Sequence, residues 1–328
     1  MSMANVFSSD AFSVVSLTDA ILKAPYKPGR IGMMGLFRER GISTTTAIIE
    51  EKDGRLSLLQ TSPRGAPPNA LGPNSRRARA LLVPHIQLES NILADEVQNI
   101  RAFGSENQVA GVQAVVNERL VEMRANVEVT LEYQRIGAIK GLILDADGST
   151  LFDLFTEFGV SQQTYGFDPA ADVRAQAVDI ARLIEDELGA EPVSGLRAFC
   201  GAHFFDRLIA AAPVVTSLQY QESAQLRGDL RAGFQYGGIT WEEYRGSVGG
   251  VAFIPDGEAY VFPEASNIFK TYFAPADFME TVNTPGLPIY AKQVADDELN
   301  RWVRLHVQSN PLSINVRPRT VVKVSIAS

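Results

Sequence analysis

The sequence predicts an α+β protein that combines one unusually long helix with many short strands. From Val109 to Leu131, apolar residues recur three or four positions apart, which keeps them on one face of a helix. Elsewhere, β-branched runs joined through Asp-Gly pairs are typical of hairpins, and residues 225–310 alternate strand-like runs with Gly and Pro. Together these patterns indicate the α+β class.

Length and composition fit one large domain or two modest ones. The 328 residues, 45% of them hydrophobic, can bury a sizeable core, and the net charge of −8 disfavours non-specific nucleic-acid binding by the whole surface. The single cysteine, Cys200, excludes an intrachain disulfide and a multi-cysteine metal site. The longest apolar run, Leu208–Val215, is far shorter than the ~20 residues that span a bilayer, and no signal peptide is recognisable. We therefore expect a soluble cytoplasmic product with no membrane partner.

The first eighty residues show little that could form a core alone. Phe12–Ala20 is predicted to be a short helix, and the breakers in Tyr26–Arg30 predict an extended arm that turns. Ser43–Glu50 and Leu56–Leu59, joined through an Asp-Gly pair, predict a hairpin, after which Pro63–Pro68 excludes regular structure. Since an isolated hairpin is marginal in water, we expect this segment to take its burial from neighbouring copies.

The long helix is the strongest single signal. Ser105 and Gln108 form a capping-box pattern before the apolar stripe, and the helix should end at Gly137 or Gly141. At about 30 residues and ~45 Å, it is more than twice the usual helix length. A helix of this length is typical of a structural spine.

Shorter elements follow the long helix. Helices are predicted at Val173–Leu188, ended by Gly189, and at His203–Ala210. The predicted strands are the hairpin pair Leu142–Leu144 and Leu151–Phe155, then Arg197–Cys200, Gly233–Tyr236, Gly250–Ile254, Glu258–Phe262, Leu312–Val316 and Thr320–Ile326.

Charge is distributed unevenly. Five arginines against one glutamate leave residues 54–90 at +4, and two arginines against eleven acidic residues leave 141–191 at −9. The two segments could attract each other within one chain or between copies. The alternative is two separately solvated faces.

The candidate chemical sites all have simpler explanations. Cys200 precedes His203 by three residues, which would suit a thiolate–imidazole pair, but its apolar strand also fits a small buried side chain. Asp145–Gly148 is similar to a calcium loop, yet its glycine is misplaced, so a plain turn is preferred. Arg76–Arg79 lacks an accompanying aromatic ladder, which favours an exposed loop or an intersubunit ion-pair site over a phosphate site. We predict no catalytic residue, cofactor or metal.

Motifs along nearly the whole chain resemble one known family. They are Tyr26–Gly32, Gly35–Phe37, Thr44–Thr46, Thr61–Pro67, Glu132–Arg135, Gly141–Gly148, Phe199–Gly201, Pro285–Lys292 and Gln308–Leu312. In this order they resemble the lambda-type major capsid proteins of tailed phages, the gene product E family.

The resemblance implies a tailed-phage capsid fold of the Hong Kong 97 type. Its parts would be an N-terminal arm at 1–35, an extended β-hairpin loop at 36–84, a peripheral domain with the long spine helix at 85–172 and 308–328, and an axial domain at 173–307. The implied function is that of a major capsid (head) protein. It would self-assemble in the host cytoplasm into pentamers and hexamers of an icosahedral virion shell that encloses double-stranded DNA without sequence-specific binding.

The resemblance also implies partners and interface residues. The partners would be further copies of the chain, a separate scaffolding protein, a portal protein and a decoration protein at the three-fold positions. The subunit-interface candidates are Pro28, Gly29, Arg30, Phe37, Lys52, Arg55, Arg64, Gly65, Arg76, Arg77 and Arg79. The alternatives are a soluble α/β enzyme that uses Cys200 and His203, and a scaffold module that never closes a shell.

Overall fold

The computed structural model describes residues 13–23, 29–52, 76–97, 108–189, 191, 193–220, 230–248, 250–265, 267–296, 298–299 and 301–327. The chain divides into two compact units. Unit 1 comprises Met1–Ala47, Leu81–Tyr133 and Lys270–Ser313, and unit 2 comprises Ile48–Ala80, Gln134–Phe269 and Ile314–Ser328.

The structure is mixed α and β, as predicted. The helices are α1 Val14–Lys23, α2 Arg30–Met34, α3 Ala94–Val97, α4 Gln108–Lys140, α5 Leu154–Phe158, α6 Val173–Leu188, α7 Ala202–Ile209 and α8 Ala212–Tyr220. The strands are β1 Arg38–Gly41, β2 Thr46–Lys52, β3 Arg76–Leu82, β4 Ile86–Leu93, β5 Leu142–Leu144, β6 Thr150–Asp153, β7 Gln163–Phe167, β8 Leu196–Cys200, β9 Phe234–Tyr236, β10 Ile239–Glu243, β11 Ser247–Val248, β12 Val251–Ala252, β13 Glu258–Pro263, β14 Phe269–Phe273, β15 Tyr290–Ala295, β16 Trp302–Ser309, β17 Pro311–Asn315 and β18 Val322–Ile326.

Unit 1 is a helix-on-sheet core. Strands β15, β16 and β4 form an antiparallel sheet in that order, and the apolar stripe of α4 packs with it. The buried members of this core are Leu17, Ile21, Ile92, Val112, Val116, Leu120, Met123, Val127, Ile289, Ala291, Val303, Leu305 and Val307. A second sheet has the order β1–β14–β17, with β1 parallel to β14. The predicted long helix and its stripe are therefore confirmed: α4 is described from Gln108 to Lys140, and the predicted capping residue Ser105 lies outside the described residues.

The expectation that the first eighty residues take their burial from neighbouring copies is wrong for helix α1. This helix contributes Leu17 and Ile21 to the core of unit 1, where both are almost fully buried. Four-residue spacing places these two side chains on one face of the helix. Only two of its apolar side chains, Leu17 and Ile21, are fully enclosed in the core, so its stripe is too brief to stand out in the sequence. Ile31 and Leu36 are buried as well.

Unit 2 is built on a six-stranded mixed sheet with the order β7–β18–β13–β8–β10–β9. Aromatic rings fill its core: Phe167 lies 5.2 Å from Phe204, and Phe199 lies 5.0 Å from Phe262, between ring centroids. Helix α6 has the predicted bounds Val173–Leu188. The Asp172 carboxylate accepts the first free N–H groups of α6, and Gly189 follows its last turn, so both ends have a physical cause.

The second hairpin has the predicted turn but a shorter second strand. The carboxylates of Asp145 and Asp147 accept the backbone N–H groups of Ala146 and Ser149, so both serve the turn. Strand β6 ends at Asp153 because this carboxylate accepts N–H groups at the start of α5. Leu154 and Phe155 are therefore helical, and the strand prediction was wrong for them.

The first hairpin has a more distant partner than the sequence indicates. Strand β2 pairs with β3 in a two-stranded sheet. The Val83 N–H donates to the Thr45 carbonyl at 3.0 Å, so the start of one strand faces the end of the other. The predicted Asp-Gly turn and Leu56–Leu59 lie outside the described residues.

Two other predicted strands are shorter in the structure. Gly250–Ile254 contributes only β12, and Thr320–Ile326 begins with a 3₁₀ turn at Pro318–Thr320 before β18.

Within the part of the chain that is described, no helix has both the length and the apolar character needed to cross a membrane.

Candidate functional site

The first candidate site is where residues 14–23 and 29–34 are attached to α4, here called the arm root. The guanidinium of Arg124, whose residue is only 6% exposed, donates from Nη1 to the carbonyls of Ile21 and Leu22 at 2.6 and 2.7 Å. These carbonyls lie at the end of α1, where no N–H group of the same helix can reach them. A charged donor to such carbonyls forms a strong hydrogen bond, so Arg124 fixes the end of α1.

The other side of α1 is attached to the sheet. The Thr18 hydroxyl accepts the N–H of Ala291 at 3.1 Å and donates to the carbonyl of the same residue at 3.3 Å. Ala291 lies in β15, which is an edge strand of its sheet. One threonine therefore occupies both backbone groups of Ala291 and holds α1 along the edge.

A carboxylate of α4 accepts the N–H groups at the start of helix α2. Glu132, also 6% exposed, accepts the N–H of Ile31 at 2.8 Å through Oε1 and that of Gly32 at 3.3 Å through Oε2. A Cβ atom at Gly29 would lie 2.2 Å from Cδ of Glu132, so only glycine allows this approach. The described part of the Tyr26–Gly32 motif, from Gly29 to Gly32, thus contacts Glu132 of the Glu132–Arg135 motif.

The second candidate site is where the two ends of the 36–84 segment join unit 1, here called the loop root. On the entering side, the Ile42 N–H donates to the Phe273 carbonyl at 2.8 Å, and the Gly286 N–H donates to the Ile42 carbonyl at 2.9 Å. The backbones are so close that a Cβ on Gly41 would lie 2.3 Å from the Gly286 oxygen. A Cβ on Gly286 would lie 2.1 Å from the Phe273 oxygen. Three chain segments therefore cross here without room for side chains.

On the leaving side, His85 joins a network of side-chain amides. Its Nδ1 lies 2.9 Å from both Asn310 Oδ1 and Gln308 Nε2. Asn310 in turn donates to the Pro275 carbonyl at 2.7 Å and accepts the Ala274 N–H at 3.0 Å. The Gln308–Leu312 motif therefore connects the end of the loop to the segment after β14.

The predicted interface residues divide into three groups. Pro28, Arg55, Arg64 and Gly65 lie outside the described residues. Gly29 and Arg30 lie at the start of α2, while Lys52, Arg76 and Arg77 lie in β2 and β3. Phe37 is buried inside unit 1 rather than facing outward, and the Arg79 guanidinium lies over the Phe158 ring at 5.2 Å in unit 2.

Sequence reasoning did not single out Arg124, and it quoted Glu132 only within a motif. Both partners lie about a hundred positions away along the chain, so local patterns carry little information on them. The one available signal was charge beside the apolar stripe of a long helix.

The enzyme alternative does not fit the structure. Cys200 is fully buried in β8 of the central sheet, and burial raises the pKa of its thiol far above the usual value. His203 is exposed on α7. Cys200 therefore fits a small buried side chain and not an accessible nucleophile. Over the ranges described above, no group of three or more His, Cys, Asp or Glu side chains is arranged to hold a metal ion.

Comparison with known proteins decides between the capsid-protein and enzyme hypotheses. The family described as "Phage major capsid protein E" matches residues 13–326. The chain belongs to this family. The major capsid protein of Pseudomonas phage KPP10 is 26% identical over 339 residues, covering 95% of this chain and 96% of that protein. The major capsid protein of Salmonella phage Felix O1 is 27% identical over 354 residues, with the same coverage.

Solved capsid structures show the same fold. The capsid protein of Myoviridae phage XM1 has a TM-score of 0.50 at 13% identity and covers 93% of this chain and 94% of its own. The cyanophage A-1(L) capsid has a TM-score of 0.50 at 11% identity, with coverage of 93% and 95%. The predicted tailed-phage capsid fold is confirmed. The chain is a phage major capsid protein, a self-associating structural component of the virion rather than an enzyme.

The backbone crossing at the loop root predicts a strong effect of small substitutions. Gly41→Ala and Gly286→Ala should each lower the free energy of unfolding by about 2 kcal/mol or more, because backbone atoms must move apart. Gly257→Ala is the matched control, since a Cβ there meets nothing within 4 Å. Urea denaturation followed by circular dichroism measures all three. A Gly286→Ala midpoint equal to that of Gly257→Ala would contradict the crossing.

Burial of the single cysteine predicts its reactivity. At pH 8, a chromogenic disulfide reagent should react with no thiol in the native chain and with one thiol per chain after denaturation in guanidinium. The reason is that Cys200 is enclosed in the folded chain and burial raises the pKa of its thiol. Absorbance of the thiolate that the reagent releases gives the number of reacted thiols. Rapid, stoichiometric reaction of the native protein would show that β8 is not a core strand.

Proposed function

We propose that the chain builds an icosahedral shell of pentamers and hexamers around double-stranded DNA, assembled in the host cytoplasm. In this proposal, residues 1–35 form the arm and 36–84 the extended loop. Residues 85–172 and 308–328 form the peripheral domain, and 173–307 the axial domain. The observation that carries the proposal is that both extensions of a capsid-family chain are anchored at their roots inside unit 1.

The strands of the loop support a role in contacts between copies. In β2, Ala47 and Ile49 are buried whereas Ile48 between them is 67% exposed, and in β3 Leu82 is also 67% exposed beside buried Leu81. Both strands therefore carry apolar side chains on the covered and the open face. Covering one such side chain fully contributes about 1.5–3 kcal/mol. A neighbouring copy in the shell would provide this cover.

Overlapping contacts explain how individually weak surfaces could hold a shell. Once one contact between two copies has formed, further contacts through the arm and loop are effectively intramolecular. The acidic balance of the chain also suits a container for DNA, because a wall that bound phosphate tightly would hinder packing and release. A separate scaffolding protein, a portal protein and a decoration protein at the three-fold positions remain inferences from the resemblance to lambda-type shells.

Shortening the loop tests the proposal. Replacing residues 53–75 with Asn-Gly would join β2 to β3 through a two-residue turn. The protomer should still fold, with an unchanged denaturation midpoint, because every described core residue of both units is kept. Regular shells should be lost, because the reach of the loop across neighbours is gone. Electron microscopy of the protein co-expressed with its neighbouring head genes measures the outcome.

A second variant controls for the effect of altering any exposed hairpin turn. Ala146→Asn changes the β5–β6 turn without shortening it and keeps the Asp147 carboxylate that accepts the Ser149 N–H, so shells should form normally. If the loop-shortened chain closed regular shells in wild-type yield, the proposed role of the loop would be wrong.

A further inference from the structure

Two buried charges of α4 bind the backbone on either side of residues 24–28. Arg124 holds the carbonyls at the end of α1, and Glu132 holds the N–H groups at the start of α2. Each charge matches the polarity of the groups it meets, since a cation faces acceptors and an anion faces donors. An exchange of the two side chains would place like against like at both points.

The spacing of these charges defines a register. Arg124 and Glu132 are eight residues apart on one continuous helix, which is ~12 Å along its axis. The chain on both sides of residues 24–28 is thus held at two fixed points of the same rigid element. Thr18 adds a third point through Ala291 of β15.

Stability alone is a poor reason for this arrangement. Burying an ionised side chain costs several kcal/mol unless hydrogen bonds offset it, and well-packed apolar residues often stabilise a core equally well. Apolar side chains at these two positions would leave the end of α1 and the start of α2 without a directional tie to α4, because dispersion contacts have no direction. The two charges add directional hydrogen bonds that fix one position of α1 and α2 along α4.

We propose that Arg124 and Glu132 are positioning residues for assembly. They fix the register of α1 and α2 along α4, so that the arm leaves unit 1 from the same point in every copy. This inference rests on the proposed shell function, because it concerns how the arm is aimed at neighbouring copies. It assigns a role to two side chains that are buried within their own chain.

The test measures two things in each variant: amide hydrogen exchange at the arm root and the regularity of the assembled shells. Glu132→Gln should speed amide hydrogen exchange at Ile31 and Gly32 by about tenfold, because a charge-assisted acceptor is lost. Arg124→Met should speed exchange in the last turn of α1 while leaving α2 unchanged. Both variants should remain folded at assembly temperature, with Cys200 still unreactive, yet yield irregular or open particles in place of regular shells.

Matched controls separate positioning from general damage. Glu122→Gln and Arg119→Met make the same chemical changes on the same helix, at an exposed carboxylate and at a surface ion pair, and should give regular shells. Arg124→Lys keeps a cationic donor and should restore regular shells in part.

Two outcomes would overturn the inference. One is regular shells from Glu132→Gln and Arg124→Met despite faster local exchange. The other is exchange no faster than in the controls. The wild-type chain tests the proposed function separately. If it closes shells in the same experiment, the proposed function stands even when the inference about Arg124 and Glu132 fails. If it forms no shells, the result counts against the proposed function itself.

Discussion

The packing of the apolar stripe of α4 against the β15–β16–β4 sheet is the interaction on which both roots depend. The stripe buries residues from Val112 to Val127, and the sheet supplies Leu305 and Val307 from its central strand. Arg124 projects from this helix, and Asn310 follows directly after β16. If the helix and sheet did not pack in one register, the polar ties at the arm root and the loop root would have no fixed partners.

Two different kinds of restraint act on that core. The arm root relies on directional hydrogen bonds from buried charges, which are strong only while water is excluded. The loop root relies on the absence of side chains at Gly41 and Gly286, where backbone groups pair at close range. The first kind selects a position, and the second excludes alternatives by steric clash. Together they make a rigid base for segments that are proposed to act on other copies.

Local patterns predicted what local forces determine. The length of α4, the bounds of α6 and the Asp-Gly turn of the second hairpin all follow from residue spacing and capping groups. The pairing of β2 with β3 could not be predicted, because a nearer β-prone run at Leu56–Leu59 offered an equally good partner in sequence. The core position of α1 and the contacts of Arg124 were missed for a related reason: their partners lie in distant segments, and only the folded chain brings them together.

A density map of the assembled shell, resolved to side chains in every symmetry-independent copy, tests the central claim most directly. The account predicts that the Glu132 contacts to Ile31 and Gly32 and the crossing of Gly41 with Gly286 are the same in all copies, while residues 53–75 rest on neighbouring chains. Copies in which either root has come apart, or in which residues 53–75 fold back onto their own chain, would contradict it.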